Sequence, residues 1–454
     1  MNIWNNKITP SIIIFIIVLI LRIGFIKTYN VDYISNDGVT YHNIAVNIVL
    51  GRGYSNCPNP PYEPFFFREP VYPLFISTVY FIYHKLGGDL TYISSYSENR
   101  IYPNHKEFIY LKIIQAIIDS ISCVLMYLIF SLVIKNKYIF IFSIVYSLYF
   151  PIAVQCVFYL REVIQMFLIL LLNISLLKYM INKKFIYIIM ISIIYALLIL
   201  TFQIHILLFP FIILFLYLNN KNIVLTLKNT LMGFIIVICI LSPWLYRTYK
   251  FYPDIKVFKN VGLSFTSEQM KWVSSLREAK KYKLITNDEF QQYVQSWFQT
   301  PDKLKFQYSF DGTYQKWCDS LQALTAPVAK KESFITKTKY STRILLDRFK
   351  NSFFRKLSLS EKSISECIKS KNIMLFIPYL LGIIIGLLGL FSFIYNFKKL
   401  WIISMPFLFY TSIFYFIGDE ARRMIVVHGY LFMFFMILIT QLIEKHKSKT
   451  IFNI

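Results

Sequence analysis

Apolar residues along this chain come in long runs, broken by short segments of Lys, Asn, Tyr and a few acids. Runs of about 20 residues are long enough to cross a ~30 Å hydrocarbon layer as α-helices. They predict membrane-spanning helices over 10–28, 108–134, 138–157, 162–181, 185–203, 205–219, 224–245, 372–395, 400–417 and 423–442. A further apolar piece at 71–84 is shorter and interrupted, and is expected to lie along the membrane interface. The first run, Ile12 to Ile26, has one preceding Lys and no small-residue cleavage site near its end, so it reads as a retained anchor. The expected fold class is an all-α polytopic membrane protein of about ten transmembrane helices.

Composition narrows the class further. A hydrophobic content of 56% with 18% aromatics over 454 residues excludes a soluble fold. The net charge of +24 would suit a nucleic-acid partner, but the cations sit in short clusters between apolar runs, which argues for membrane orientation and against nucleic acid. Placing the N-terminus in the cytoplasm puts Lys7, Lys135, Lys137, Lys178, Lys183, Lys184, Lys221, Lys228, Lys398, Lys399, Lys445, Lys447 and Lys449 on the inner side against one acid, Glu444. That is a positive-inside pattern over short loops, with both termini cytoplasmic. The bias toward Ile, Lys, Asn, Phe and Tyr suggests an AT-rich bacterial genome, hence a bacterial inner (plasma) membrane and a role in the cell envelope. Six cysteines without CxxC spacing and six histidines indicate neither a zinc site nor a dense disulfide framework, although a bridge among Cys57, Cys318 and Cys367 stays open.

This topology divides the chain into a membrane module over 1–247 that includes a first outer loop at 29–107, an extracytoplasmic segment over 248–371, and closing helices with a cytoplasmic tail over 372–454. Residues 248–371 are themselves basic, but long loops translocate largely regardless of charge. Within them, 341–357 spaces Ile344, Leu345, Phe349, Phe353 and Leu357 helically among Arg and Lys, which predicts an amphipathic helix on the membrane or on a small soluble domain. No internal repeat is visible.

Nearly every polar cluster other than lysine falls on the outer side. Asp37 opens Asp37-Gly38-Val39-Thr40-Tyr41, where Tyr41, Ala45 and Ile48 fall at helical spacing; Asp37 is either the N-cap of a short helix or a carboxylate held at the water boundary as a general base, with Asp32 as a nearby competitor. Arg68 either pairs with Glu69, reaches headgroups, or binds a phosphate, for which a planar guanidinium is suited. Arg161 and Glu162 stand where one apolar helix turns into the next, paired with each other or placed for function. Gln203 and His205 interrupt an apolar hairpin, serving a turn or a substrate, and Arg247 follows the Trp244 and Tyr246 belt as an anchor or a ligand. Glu420, Arg422 and Arg423 form a tight outer turn, and a double Arg there runs against the positive-inside bias, which favours a phosphate or pyrophosphate role.

Taken in order, these motifs resemble a known group. Asp-Gly-x-x-Tyr-x-x-x-Ala at 37–45, Arg-x-Pro-x-Tyr-Pro-Leu-Phe at 68–75, the acid Glu162, Pro-Trp-x-x-Arg at 243–247 and Glu-x-Arg-Arg at 420–423 look like the GT-C superfamily, within it the protein O-mannosyltransferase and aminoarabinose transferase-like group, also called glycosyltransferase family 39-like. The resemblance covers 10–250 well and the C-terminal part only through the last motif. It implies an inverting, metal-optional glycosyltransferase that takes a sugar from a polyprenyl-phosphate donor on the extracytoplasmic face. By match of position, Asp37 would be the catalytic base and Glu162 the second acid, with Arg68, Arg247, Arg422 and Arg423 on the donor phosphate. Tyr41, Glu69, Arg161, His205 and Glu420 are further candidates for substrate contact. The resemblance implies no definite cofactor and leaves a divalent cation open, and the expected partners are the lipid-phosphate donor, a lipid, glycan or protein acceptor, and membrane lipids. Two departures stand out: Gly38 occupies a position where many relatives carry an acid, and His428-Gly429 stands where relatives usually carry Pro. The rival classes are a flippase for lipid-linked sugars, which calls for charges buried in mid-span and repeat symmetry, whereas the charges here are expected to cluster at span ends, and an O-antigen polymerase or ligase, which has no need of an acidic first loop.

Overall fold

The structure is a computed structural model; it describes residues 5–28, 34–35, 37–58, 60–62, 64–65, 68–90, 93–97, 100–103, 105–133, 139–251, 286, 288, 373–396 and 425–444. The expected amphipathic helix at 341–357, the span at 400–417, and Glu420, Arg422 and Arg423 lie outside the described residues. The helices run α1 (Asn5–Thr28), α2 (Asp37–Val49), α3 (Val71–Lys85), α4 (His105–Val133), α5 (Ile139–Leu148), α6 (Phe150–Ala153), α7 (Glu162–Asn182), α8 (Phe185–Ile199), α9 (Phe209–Asn220), α10 (Ile223–Phe251), α11 (Ile373–Asn396) and α12 (Ile425–Glu444). Five helical stretches among the described residues are long and apolar enough to cross a membrane, at Lys7–Thr28, Ile109–Val133, Glu162–Asn182, Gln203–Asn220 and Ile223–Phe251. Shorter apolar helices at Ile139–Leu148 and Phe185–Ile199 join them, and the chain is a multi-pass membrane protein.

The helices long enough to span a membrane are apolar nearly all round, so burial is decided by a stripe rather than by a hydrophobic face. In α1 the buried stripe is Ile14, Val18, Arg22 and Ile26, one residue every four, while Ile8, Ile12, Ile16 and Ile20 are exposed. α4 packs between α1 and α7, α7 packs against α8, and α8 against α10. Side-chain amides and hydroxyls tie these helices: Tyr179 to Asn220 (2.8 Å) and Asn229 (3.0 Å), Asn173 to Tyr430 (2.7 Å), and Gln441 to Asn396 (2.7 Å). At Gly389 the backbones of α11 and α12 come so close that an added methyl would meet the Leu431 carbonyl at 2.3 Å.

One end of the bundle carries lysines. Lys7 donates to the Ser131 carbonyl in the last turn of α4 (3.2 Å), Lys178 lies near it, and Lys183 donates to Asn219 (3.1 Å) at the end of α9. The opposite end holds the first loop, which folds as β1 (Ile34–Ser35), α2, α3, β2 (Ile93–Ser97) and β3 (Arg100–Pro103). The strands form a small antiparallel sheet in the order β1-β3-β2, an element the apolar pattern does not predict. α3 covers the piece expected at the interface: it buries Tyr72, Ile76 and Tyr80 toward the protein and exposes Leu74, Phe81 and Ile82.

Two expectations are corrected here. The predicted span at 138–157 is not one helix: it breaks at Tyr149, between α5 and α6, and ends in a 3-10 turn at Val154–Val157. Pro151 lacks the N–H that would bond the Ser147 carbonyl four residues back. That carbonyl instead accepts Arg22 Nη1 from α1 at 2.6 Å. Nor are the charges confined to span ends, because Arg22 is fully buried inside α1 and its Nε meets the Asp119 carboxylate inside α4. The same proline logic recurs in α10, where Pro243 leaves the Cys239 carbonyl to the Ser242 hydroxyl (2.9 Å).

Candidate active site

The site forms where the first loop meets the starts of α7 and α9. α2 begins at Asp37, whose carboxylate sits in the first turn, favoured there by the helix dipole. Gly38 follows because α2 runs directly against the 158–161 turn: a Cβ there would lie 2.5 Å from the Ile34 side chain and 3.1 Å from Tyr159 Cβ. Close packing therefore accounts for the absence of a second acid at this position. One turn on, Tyr41 is 2% exposed and meets the Tyr72 ring edge-on at 4.8 Å.

The arm between α2 and α3 is held by its own backbone. Asn47 donates to the carbonyls of Ser55 and Cys57, both at 2.8 Å, after turns in which Gly51 and Gly53 take φ of +73° and +83°. Arg247, at the end of α10, grips the same arm through the carbonyls of Phe65 (3.0 Å) and Tyr54 (3.1 Å), its guanidinium lying among the rings of Tyr54, Trp244 and Phe251. The Tyr54 hydroxyl reaches the carbonyls of Arg68 (2.8 Å) and Glu69 (3.3 Å). No disulfide joins Cys57 to another described cysteine, and Cys318 and Cys367 lie outside the described residues.

Arg68 and Glu69, adjacent in sequence, point to different partners. Arg68 Nη2 meets Asp37 Oδ1 at 2.6 Å, and its guanidinium lies over the Tyr41 ring at 5.4 Å. Glu69 divides its two oxygens: Oε2 faces Arg161 Nη1 at 3.1 Å and Oε1 accepts the Gln203 backbone N–H at 3.1 Å. Neither Arg68 with Glu69 nor Arg161 with Glu162 forms the local pair that the sequence allows; the pairs are crossed. The two pairs also differ in setting. Asp37 and Arg68 are 30% and 26% exposed, so water reaches this pair and screens it more than the next. Glu69 and Arg161 are 8% and 13% exposed, and breaking such a pair from one side costs ~3–5 kcal/mol.

Arg161 caps the start of α7, with Glu162 in that helix's first turn, and stacks on Phe202 with its guanidinium 3.7 Å from the ring centre. The turn that carries it is fixed by Gln115 of α4, which accepts from the Tyr72 hydroxyl (2.7 Å) and donates to the carbonyls of Cys156 (3.0 Å) and Phe158 (2.9 Å). His205 is fully buried beside Phe202. Asp37, Tyr41, Arg68, Glu69, Arg161, Glu162 and His205 are thus gathered at one end of the bundle, whereas Arg247 is turned to the arm's backbone. Tyr54 and Gln115 were not foreseen, and Gln203, expected to serve a turn or a substrate, enters through its backbone N–H to Glu69. Gln115 and Asp119 did carry a signal, being polar residues one turn apart inside an apolar run.

Electrostatics follow burial. Burial opposes charge on Arg68, but Tyr41, Asp37 and Glu69 outweigh it and raise its pKa, so the guanidinium stays protonated. Burial raises the Tyr41 phenol, with Arg161 and Arg68 pulling the other way. His42, buried in α2 with Nδ1 2.7 Å from the Tyr80 hydroxyl, is lowered by burial to about 4. Its ordinary value is 6.5, so the folded state binds the proton less well than the unfolded one. The stability His42 contributes is complete above pH 6.5 and is lost as pH falls from 6.5 toward 4, by on the order of 3 kcal/mol. Thermal unfolding of the purified protein should show this acid-side loss, and His42→Gln should flatten it; parallel curves would remove His42 as the cause.

Among the described residues no group of three or more His, Cys, Asp or Glu is placed to hold a metal ion. No family model matches the chain. No curated protein matches it either. Solved structures do. The apo oligosaccharyltransferase of Archaeoglobus fulgidus matches with a TM-score of 0.53 at 11% identity over 97% of this chain and 51% of its own. The oligosaccharyltransferase AglB of the same organism, in complex with an inhibitory peptide and a dolichol-phosphate, matches with a TM-score of 0.51 at 10% identity over 98% of this chain and 52% of its own. The chain therefore spans about half the length of these structures, and what it shares with them is the membrane fold of the GT-C type.

Proposed function

We propose that this chain is an integral membrane glycosyltransferase that moves a sugar from a polyprenyl-phosphate donor to an acceptor hydroxyl or amine, with inversion, on the extracytoplasmic face. The observation that carries this reading is the exchangeable contact of Asp37 with Arg68 at the end of the bundle opposite the lysines. Asp37 takes the acceptor proton as the acceptor attacks the anomeric carbon. The bond from that carbon to the phosphate oxygen breaks, and the lipid phosphate leaves with the electron pair. Such a leaving group is already anionic, so cationic contacts stabilise the charge that grows on it. Arg68 is the described cation best placed for it, with Arg422 and Arg423 as further donor ligands from the last outer turn. Arg247 supports the site from behind by holding the Tyr54–Phe65 arm, and Glu162 is the second acid. The likeness to an oligosaccharyltransferase bound to a dolichol-phosphate supports a lipid-phosphate donor. The narrower likeness to the O-mannosyltransferase and aminoarabinose transferase-like group rests on the motifs at 37–45, 68–75 and 243–247.

The test is incubation of the purified protein with a panel of polyprenyl-phosphate sugars and mass analysis of candidate acceptors. Transfer from at least one donor is the expected result. Movement of intact lipid-linked sugar across vesicles without transfer would favour the flippase instead, the reading for which the buried Arg22 and Asp119 pair speaks.

A further inference from the structure

We propose that Arg161 and the Tyr41 hydroxyl form, with Arg68, a three-point cradle for the phosphate of the donor lipid; this rests on the reading above and assigns Arg161 a role in donor binding. Both cations act on Tyr41. Arg68 stacks over its ring at 5.4 Å, and Arg161 is the cation that acts most strongly on its phenol. All three carry donors that no described residue uses. Arg161 spends Nη1 on Glu69 and one face on Phe202, leaving Nε and Nη2; Arg68 spends Nη2 on Asp37, leaving Nε and Nη1. The Tyr41 hydroxyl makes no hydrogen bond among the described residues although the side chain is 2% exposed.

Guanidinium N–H groups not spent on protein partners stay available to an oxyanion, and two such forks with a phenol hydroxyl supply the donor types that a phosphate needs. A counterion for Glu69 alone would require one donor; a stacked fork with two donors to spare suits a ligand. An entering phosphate displaces the half-buried Asp37 from Arg68, while the buried pair of Glu69 and Arg161 stays made. Binding of the donor thereby frees the carboxylate that is to act as base.

The experiment titrates sugar-free polyprenyl phosphate onto the full-length protein in nanodiscs, with neutral polyprenol and inorganic phosphate as parallel arms. Arg161→Gln should weaken polyprenyl phosphate binding ~10–100-fold and Tyr41→Phe ~3–10-fold, the range of charged and neutral hydrogen bonds. Glu69→Gln, which leaves Arg161 uncompensated, should bind as tightly as the native protein or tighter. Competition by inorganic phosphate at the same site supports the cradle, whereas equal affinity for neutral polyprenol overturns it. Equal weakening by Arg161→Gln and Glu69→Gln would reduce Arg161 to a structural tie and also sink the proposal. Should Arg161→Gln fail to fold, Tyr41→Phe, which removes one oxygen, decides alone: native affinity in that variant rejects the cradle. Because no transfer is measured, the outcome is separable from the function: retained, Arg161-dependent phosphate binding without any sugar transfer would fail the glycosyltransferase reading alone.

Discussion

Asp37→Asn is expected to lower sugar transfer by ~10²–10⁴-fold, the usual contribution of a positioned general base. Asn keeps the size of the side chain and an oxygen for the start of α2, so the helix and the packing of Gly38 against Tyr159 persist. Arg68 loses the carboxylate but keeps a hydrogen-bond acceptor, and with the countercharge gone it holds a phosphate at least as well. The expected signature is therefore collapsed turnover with donor affinity maintained or improved, and an unchanged melting temperature. Near-native turnover would remove Asp37 from the chemistry and return it to the role of helix start.

The largest expected effect on stability lies elsewhere, at a pair with no part in the proposed reaction. Asp119→Leu should destabilise the protein by ~3–5 kcal/mol, because it leaves the Arg22 guanidinium charged and unmatched inside the α1, α4 and α5 contact. Replacing both, as Arg22→Met with Asp119→Leu, should recover part of that loss, since an apolar pair of similar volume avoids the unmatched charge. Recovery should stop short of complete. The Ser147 carbonyl, deprived of its helical donor by Pro151, loses Arg22 Nη1 as well, and a buried acceptor left unsatisfied costs ~1–3 kcal/mol. Unfolding of the single and the double variant in detergent, beside the native protein, measures this. A single variant as stable as the native chain would mean that the pair contributes nothing.

The positions of most membrane helices were legible because a span is a one-dimensional property: about 20 apolar residues suffice to satisfy the backbone inside lipid, whatever surrounds them. The start of α2 at Asp37 was legible for a similar reason, an acid ahead of apolar residues at helical spacing. The interruption near Tyr149 was not anticipated, though Pro151 announces it, because an apolar run hides a missing backbone donor. The small sheet escaped because its strands, of two, five and four residues, pair across a loop with no alternating pattern long enough to read.

By itself the sequence determined that the chain is a bundle of membrane helices and that most of its arginines and acids, Arg22 and Asp119 apart, stand at the ends of apolar runs. What only the tertiary structure decided is which charge meets which. Arg68 reaches back 31 residues to Asp37, Glu69 forward 92 residues to Arg161, and Arg22 across 97 residues to Asp119. Neighbouring residues such as Arg68 and Glu69 diverge because Pro70 and Pro73 fix the chain entering α3, so that one side chain faces the water at the mouth of the site and the other the buried start of α7. A charge pair is settled by which helices pack together and by how much water each partner keeps, and neither is a property of adjacent residues.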